Sequence, residues 1–401
     1  MRRPAPAPAS ASPMLRTALD ALPASRIREV ANAALGRDDL VKFWFGEGDL
    51  PTPAFIREAA KHALDAGETF YNHNLGILEL REELARYLTA LHRVPIGSDR
   101  IAVTSAGINA LSLIGQSILD PGDRVAVVTP VWPNLTSIPR ILGAEVARVA
   151  LDCNAGVWSL DLDKLLDAAR PGTRAVFVNS PGNPTGWVMP QAQWDALRAH
   201  CRRHGIWLVS DDAYERLVYD ASLVVDGHAP GVLAQADPDE RFISANTFSK
   251  SWTMTGWRLG WLVAPPQFIA SFAKMVEFNT SCAPTFVQRA GLVAVRDGDA
   301  LIAATQARLA RACDLLVRRL SALPDVQLAR PQGAMYLFFR LPGRSDDSLA
   351  FAKSLVTTVG LGLAPGIAFG HEGEGYLRWC FAATEELIER GVERLHDYLR
   401  R

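Results

Sequence analysis

Short apolar segments alternate with helical segments through the middle of the chain, and this pattern constrains the fold more than any other sequence feature. Strands are predicted at 124–129, 174–179, 206–211, 242–246 and 259–264. The first three show little polar alternation, which is typical of strands that are covered on both faces. Strands that alternate with helices indicate a largely parallel sheet.

Helical patterns lie between and around these strands. The clearest covers 190–204, with Pro190 in its first turn and Gly205 just past its end, the usual places for these residue types. The remaining patterns predict helices near 75–92, 297–322, 346–359 and 384–400, and strands in AMYLFFRL (334–341) and YLRWCFA (376–382).

Charge and cysteine usage exclude several function classes. The 42 basic and 43 acidic residues nearly cancel, so no strong field favours nucleic acid or an anionic membrane surface. The five cysteines are scattered without a C-x-x-C pair, and the eight histidines show no ligand spacing. We therefore expect no disulfide framework, no metal site and a cytoplasmic location. No apolar run approaches the roughly 18 residues of a membrane span.

The N-terminal segment MRRPAPAPASASP (1–13) is rich in Pro, Ala and Ser. It lacks the apolar region of a signal peptide, and a transit peptide would carry more basic residues than Arg2 and Arg3. We therefore expect a flexible arm over residues 1–13.

Candidate functional side chains follow the carboxyl ends of the predicted strands, where ligands bind in open α/β sheets. These side chains are Trp132, Asn183, Asp211 with Tyr214, and Lys250 with Ser249 before it. Each alone has an ordinary explanation: Trp132 can be core packing, and Asp211 or, more naturally, Asp212 can cap a helix. Their shared edge of the sheet is what indicates a binding site.

Lys250 stands among hydroxyl and aromatic side chains in NTFSKSWTMTGWRLGW (246–261). Lysine is seldom buried without a partner, and a buried amine prefers to be neutral. Because a neutral amine is a nucleophile that can form a Schiff base with a carbonyl, Lys250 is a candidate catalytic residue.

A turn of small residues, Ser105, Ala106 and Gly107, stands between a short strand and an apolar helix. Small side chains let backbone N–H groups approach a phosphate, and the helix dipole favours the anion. A packing role is the alternative. The segment is neither a G-x-x-x-x-G-K-[ST] loop nor a G-x-G-x-x-G fingerprint, so it does not support nucleoside triphosphate or dinucleotide binding.

Eight motifs together resemble the class I and II aminotransferases, the fold-type-I enzymes that use pyridoxal 5′-phosphate (PLP). The resemblance covers the chain from about Arg26 to Arg401. In family order, the motifs are FGEGDLPTP (45–53), YNHNLGILELREELA (71–85), TSAGINAL (104–111), TPVWPN (129–134), NSPGNPTG (179–186), SDDAYERLVYD (210–220), the lysine segment (246–261) and GYLRWCFA (375–382).

The resemblance implies an α/β fold with two domains. The large domain would hold a mostly parallel seven-stranded sheet flanked by helices, and the smaller, discontinuous domain would be α+β. The implied boundaries are 51–284 for the large PLP-binding domain, and 14–50 with 285–401 for the small domain.

The resemblance also implies roles in cofactor binding. Lys250 matches the Schiff-base lysine, Arg258 the arginine on the cofactor phosphate, and Asp211 the aspartate on the pyridine nitrogen. Tyr214 and Asn183 match donors to the ring phenolate oxygen. The other matching positions are Trp132 stacked on the ring, Ser105, Ala106 and Gly107 in the phosphate turn, Thr247 as a phosphate-contacting hydroxyl, and Ser249 before the lysine.

For the substrate, Arg378 matches the arginine that binds the α-carboxylate, and Gly46 and Asn183 match further contacts. Arg378 can also be a surface-paired arginine. Strand alternation turns its side chain away from its neighbours, however, so it needs a carboxylate from the protein or the substrate. Tyr71 matches a tyrosine that reaches the partner subunit's cofactor, which implies a homodimer. Alternatively, Tyr71 only marks the start of the helix predicted at 75–92.

The implied function is a PLP-dependent aminotransferase that moves an amino group from an amino acid to a 2-oxo acid by a ping-pong mechanism through Lys250. A C–S or β-lyase, decarboxylase or synthase on the same scaffold is the alternative, since fold does not fix the reaction. A non-enzymatic effector-binding domain would need a helix-turn-helix segment before residue 40, and little room remains for one.

The amino donor is open. Some aspartate-specific bacterial members carry a lysine where this chain has Ile108, which favours neutral or apolar donors here.

Overall fold

A computed structural model describes residues 16–20 and 22–401, so the predicted arm over 1–13 lies outside the described residues. The strands are β1 (Val41–Lys42), β2 (Ile101–Thr104), β3 (Arg124–Thr129), β4 (Glu145–Ala150), β5 (Asp152–Asn154), β6 (Val157–Ser159), β7 (Thr173–Asn179), β8 (Trp207–Asp211), β9 (Phe242–Thr247), β10 (Gly260–Val263), β11 (Gln327–Leu328), β12 (Tyr336–Arg340), β13 (Leu361–Gly362), β14 (Ala364–Pro365) and β15 (Tyr376–Cys380).

The described residues also form thirteen α-helices. They are α1 (Thr17–Asp20), α2 (Arg26–Asn32), α3 (Ala54–Asp65), α4 (Leu78–His92), α5 (Gly107–Ile118), α6 (Asn134–Ile141), α7 (Leu162–Ala168), α8 (Gln191–His204), α9 (Pro266–Glu277), α10 (Thr285–Asp297), α11 (Asp299–Ser321), α12 (Ser348–Val359) and α13 (Glu385–Leu399). Among residues 16–20 and 22–401, no helix is both long and apolar enough to cross a bilayer.

A seven-stranded sheet forms the centre of the molecule, in the order β2-β10-β9-β8-β7-β3-β4. The contiguous strands β9, β8, β7, β3 and β4 are all parallel to their neighbours. Only β10 runs antiparallel, to both β2 and β9. The predicted fold class, with a mostly parallel sheet, is therefore confirmed.

Both faces of this sheet are covered, which explains why its strands are apolar throughout. Successive side chains of a strand point to opposite faces. In β3, Val125 and Val127 pack on the face that α5 and α9 cover, whereas Ala126 and Val128 join the larger core on the other face. Because β3, β7, β8 and β9 run parallel to one another, their carboxyl ends meet at one edge of the sheet.

The predicted element bounds agree with the structure where local signals are strong. β3 covers the predicted 124–129, and α8 runs between Pro190 and Gly205, whose φ of +66° ends the helix. The helix predicted at 75–92 begins only at Leu78, because Gly76 takes a φ of +92° before it. The pattern at 297–322 is α11, which Gly298 separates from α10.

A smaller antiparallel sheet, β11-β12-β15-β14, is built from the C-terminal part of the chain. The N-terminal segment lies beside this part, because Val41 and Lys42 of β1 pair in parallel with β13. In addition, the Cys380 amide donates to the carbonyl oxygen of Phe43 at 3.1 Å. Residues near 46 and near 378 are thus brought together opposite the edge of the large sheet.

Candidate active site

A cavity of about 810 Å³ lies between the carboxyl edge of the large sheet and the smaller sheet. It brings together most of the residues that the sequence predicts for the site. Those in its wall are Gly46, Gly107, Trp132, Asn183, Asp211, Tyr214, Thr247, Ser249, Lys250, Arg258 and Arg378. The predicted residues Ser105, Ala106 and Tyr71 lie outside the wall, the first two just before it at the start of α5.

Lys250 follows β9 and reaches into the cavity. Its Nζ atom donates a hydrogen bond of 2.5 Å to the carbonyl oxygen of Gly46 and lies 6.0 Å from the centre of the Tyr214 ring. Burial lowers the pKa of this amine to about 8, and the positive charges of Arg378 and Arg258 act in the same direction. A substantial fraction of the amine is therefore neutral near physiological pH, as a nucleophile requires.

Asp211 is the last residue of β8, and its carboxyl group is buried. Burial raises the pKa of this carboxyl to about 7, although the Ala213 amide, at 3.3 Å from Oδ1, and the charge of Lys250 favour the ionised form. A cationic group placed against Asp211 would stabilise its charge and return the pKa to a lower value.

Asp212 does not cap a helix, so that interpretation of this carboxylate is wrong. Residues 213–216 form a turn rather than a helix. The Oδ2 atom of Asp212 accepts hydrogen bonds from the hydroxyl groups of Ser210 at 2.9 Å and Ser244 at 2.5 Å. These bonds join the end of β8 to β9.

Tyr214 shares a hydrogen bond with Tyr336, a residue that the sequence analysis missed. The two hydroxyl oxygens lie 2.7 Å apart, and the rings meet edge to face at 82°. Burial raises the pKa of both phenols, so both are protonated. The sequence signal for Tyr336 is a hydroxyl group within the apolar segment AMYLFFRL. This local pattern does not show which strand β12 pairs with, and so does not place Tyr336 at the site.

Arg378 is a buried cation on β15, only 2% exposed. It donates from Nη1 to Oδ1 of Asn183 at 3.0 Å and from Nη2 to the carbonyl oxygen of Trp44 at 2.5 Å. Its Nε atom has no hydrogen-bond partner, and no carboxylate pairs with it, among the residues that the structure describes. The arrangement leaves a desolvated guanidinium that a ligand carboxylate would satisfy.

A chain of amide hydrogen bonds holds the ends of three strands in register. Asn179, which sequence reasoning also missed, donates from Nδ2 to the carbonyl oxygen of Asp211 at 3.0 Å. Its Oδ1 atom accepts from the Asn183 amide at 2.8 Å, and the Asn183 carbonyl accepts from the Trp132 amide at 2.8 Å. Trp132 packs against the neighbouring hydrophobic core and also lines the cavity, so core packing is not its only contact.

Another part of the cavity wall combines a helix N-terminus with hydroxyl groups and a cation. Helix α5 begins at Gly107, and a Cβ atom there would lie 3.1 Å from Cβ of Thr247. The Thr247 hydroxyl donates to the Ser249 hydroxyl at 2.9 Å. Arg258 takes a left-handed conformation with φ of +53° and donates to the carbonyl oxygen of Thr255 at 2.6 Å. This set of donors suits an oxyanion.

Tyr71 is 89% exposed and lies on the segment that precedes α4. Since α4 begins at Leu78, the interpretation of Tyr71 as a helix start is wrong. Phe70 and Phe278 beside this segment are 83% and 89% exposed. The Phe70 carbonyl accepts a 3.2 Å hydrogen bond from Thr285, which holds the segment against the chain that follows α9.

The cavity wall also carries both apolar and further cationic side chains. Ile108 lies in its wall, as do Arg28, Arg140 and Arg148. Arg148 is neutralised by Glu372, with nitrogen to oxygen distances of 2.7 and 2.6 Å. Among the described residues, no carboxylate pairs with Arg28 or Arg140.

Comparison with known proteins shows a consistent similarity over most of the chain. Residues 40–395 match the family described as aminotransferase class I and II. Aspartate aminotransferase of Pyrococcus horikoshii is 31% identical over 94% of both chains, and aromatic-amino-acid aminotransferase 2 of Thermococcus litoralis is 32% identical over 94% of this chain and 96% of its own. Aspartate aminotransferase from Thermus thermophilus with maleate superimposes with a TM-score of 0.88, at 32% identity, over 96% of this chain and all of that chain.

Proposed function

Since the chain belongs to the class I and II aminotransferases, we propose that its cavity binds PLP at Lys250 and the carboxylate of an amino acid at Arg378. The chain is an aminotransferase, which moves an amino group from an amino acid to a 2-oxo acid. A single site would serve both substrates in turn, as a ping-pong mechanism requires.

The observation that carries this proposal is that one cavity holds both a partly neutral amine and a buried cation with no carboxylate partner among the described residues. Lys250 has a pKa lowered to about 8 by burial, and Arg378 is buried without a carboxylate partner among the described residues. Amino acids and 2-oxo acids share a carboxylate, which matches the bidentate fork of a guanidinium. Both substrates would therefore be held at Arg378 with their reacting carbon toward Lys250.

The donor set supports PLP at the phosphate end. A phosphate dianion is stabilised by backbone N–H groups at a helix N-terminus and by a guanidinium. Gly107 leaves room at the start of α5, since a Cβ there would lie 3.2 Å from the carbonyl oxygen of Asn246. Thr247, Ser249 and Arg258 would complete this phosphate-binding site.

The ring end is also supported by the chemistry of the side chains. Burial raises the pKa of the Asp211 carboxyl to about 7, and a protonated pyridine nitrogen beside it would stabilise its ionised form. Tyr214 and Asn183 would donate to the ring oxygen. Trp132 would cover one ring face with its indole.

When bound, PLP supplies a carbonyl that holds the amino group and an electron sink for the substrate α-carbon. The chain's own residues would perform the proton transfers. The Nζ atom of Lys250 would take the proton from the α-carbon and later return one, since its pKa lies close to physiological pH. Arg378 would orient the α-carboxylate so that the proton faces Nζ.

A half-reaction tests the proposed function. PLP-loaded protein mixed with one amino acid, without an acceptor, should change its absorbance and release the matching 2-oxo acid in an amount equal to the protein. Later addition of a different 2-oxo acid should restore the absorbance and yield its amino acid. Release of ammonia in place of a new amino acid would instead indicate a lyase.

We also propose that two copies of the chain form a homodimer. Phe70, Tyr71 and Phe278 expose large aromatic side chains on adjoining segments. Such exposure is typical of interfaces. The side chain of Tyr71 lies outside its own cavity wall, and we propose that it reaches the phosphate end of the partner's site.

We propose that the chain divides into a large domain at 51–284 and a small domain formed by 14–50 with 285–401. The pairing of β1 with β13 supports the link between the two separate parts of the small domain. Gly46 and Arg378 would then be the small domain's contribution to the site.

The side chain of the amino donor would meet two kinds of neighbour. Ile108 favours a neutral or apolar donor, whereas Arg28 and Arg140 favour an acidic one. A panel of amino acids in the half-reaction described above would rank these two influences.

A further inference from the structure

Tyr336 contacts three residues of the proposed site. It is completely buried on β12, and its hydroxyl oxygen lies 2.7 Å from that of Tyr214. The guanidinium carbon of Arg378 lies 4.5 Å from the centre of its ring. A Cβ atom on Gly46 would overlap the Tyr336 hydroxyl group, so the backbone at Gly46 passes directly against it.

The two phenols have two protons for one mutual hydrogen bond. Each phenol is protonated and has one O–H group. Within the described residues, the Tyr214 and Tyr336 hydroxyl groups have only each other as hydrogen-bond partners. If Tyr214 donates to Tyr336, Tyr214 has no proton left for a ligand. If Tyr336 donates to Tyr214, the proton of Tyr214 is free to point into the cavity.

We propose that Tyr336 is a positioning residue that donates its hydroxyl proton to Tyr214 and thereby makes Tyr214 a hydrogen-bond donor to the ring oxygen of the cofactor. This inference rests on the proposed function. An anionic ring oxygen is a stronger acceptor than a neutral phenol, so it attracts the Tyr214 proton. The lone pair that Tyr214 then offers is satisfied by Tyr336, and the two bonds polarise each other.

The ring of Tyr336 has a separate structural role. The guanidinium of Arg378 lies between two aromatic rings, at 4.5 Å from Tyr336 and 4.9 Å from Phe369. A Tyr336→Phe substitution removes the hydroxyl and keeps the ring, so it separates the proposed hydroxyl role from support of Arg378.

The test is a pH titration of the absorbance of the lysine-bound cofactor in wild type, Tyr336→Phe, Tyr214→Phe and the double variant. Loss of a donor leaves the ring oxygen more negative, and the proton on the adjacent Lys250 nitrogen is then held more tightly. Tyr336→Phe keeps the Tyr214 donor but removes the hydrogen bond that polarises it, so we expect the titration midpoint to rise by about 0.1 to 0.6 pH unit, a fraction of one charge-assisted hydrogen bond. Tyr214→Phe should raise it further.

The double variant decides whether Tyr336 acts through Tyr214. The titration midpoint of the double variant should equal that of Tyr214→Phe, because without the Tyr214 hydroxyl Tyr336 no longer acts on the ring oxygen. The matched control is Tyr398→Phe. It removes the hydroxyl group of Tyr398 on α13, which shares a 2.7 Å hydrogen bond with the Ser354 hydroxyl on α12. The control should keep the wild-type midpoint, and the KM of Tyr336→Phe should stay within about twofold because the ring remains.

An unchanged midpoint in Tyr336→Phe would overturn the inference, as would an added shift in the double variant equal to that of Tyr336→Phe alone. Either result leaves the proposed function intact, because the wild-type protein still binds the cofactor on lysine. Absence of any lysine-bound absorbance in the wild type would overturn the proposed function itself and this inference with it.

Discussion

The Nζ atom of Lys250 donates a hydrogen bond to the carbonyl oxygen of Gly46 across 2.5 Å, although the two residues are 204 positions apart in the chain. Lys250 follows the central sheet, whereas Gly46 belongs to the segment that β1 ties to the C-terminal part. The reactive amine is thus held at the meeting point of two parts of the molecule.

Capture of an aldehyde by the cofactor-free protein should depend on pH through Lys250. Only the neutral amine reacts, and burial lowers its pKa from the ordinary 10.5 to about 8. The capture rate should rise about tenfold per pH unit below 8 and level off above it. Stopped-flow absorbance after addition of PLP between pH 6 and 10 measures this profile. A rate that still rises steeply above pH 9 would contradict the lowered pKa.

Replacement of the buried cation should weaken substrate binding. Arg378→Lys keeps the charge but loses the fork that matches a carboxylate, so KM for both the amino acid and the 2-oxo acid should rise about tenfold or more. The control is Arg344→Lys, which changes an exposed arginine in the same proposed small domain. Steady-state kinetics with both substrates test this, and an unchanged KM in Arg378→Lys would remove the residue from the carboxylate site.

A methyl group at the start of α5 should weaken cofactor binding. In Gly107→Ala, the new Cβ would lie 3.1 Å from Cβ of Thr247 and 3.2 Å from the Asn246 carbonyl oxygen. Such crowding should lower PLP affinity about 5- to 100-fold. Gly231→Ala is the matched control, because nothing lies within 4 Å of its Cβ position. Equilibrium dialysis with PLP compares the two, and equal affinities would argue against a phosphate at this turn.

Association of two copies should depend on the exposed aromatic side chains. Wild-type protein should have a solution mass close to twice the 43.7 kDa of the chain, and Phe70→Glu should shift it toward the monomer because a charge is buried at the interface. Val157→Glu changes a valine that is 57% exposed elsewhere, and should not. Light scattering after gel filtration measures both. A monomeric wild type would reject the dimer and the role of Tyr71 in the partner's site.

The agreement between sequence and structure is best where one local pattern determines the result. The apolar strand β3 and the helix between Pro190 and Gly205 depend on signals contained within their own residues. The cavity residues Asp211 and Lys250 were predictable for a related reason: the ends of parallel strands share one edge of the sheet.

The missed residues depend on contacts between distant parts of the chain. Tyr336 faces the site only because β12 pairs with β15, opposite Tyr214. Asn179 acts through hydrogen bonds that join two neighbouring strands to the following loop. Asp212 was misinterpreted because its neighbours resemble a helix start, whereas Ser210 and Ser244 on the sheet satisfy its carboxylate.

The central claim is that Lys250 carries the cofactor, and chemical mapping tests it most directly. PLP-loaded protein is reduced with borohydride, digested and analysed by mass spectrometry, alongside Lys250→Ala and the exposed-lysine control Lys274→Ala. We predict one pyridoxyl phosphate group on the peptide that contains Lys250, present in wild type and Lys274→Ala and absent from Lys250→Ala. A stoichiometric adduct on another lysine, or one that persists in Lys250→Ala, would contradict the assignment.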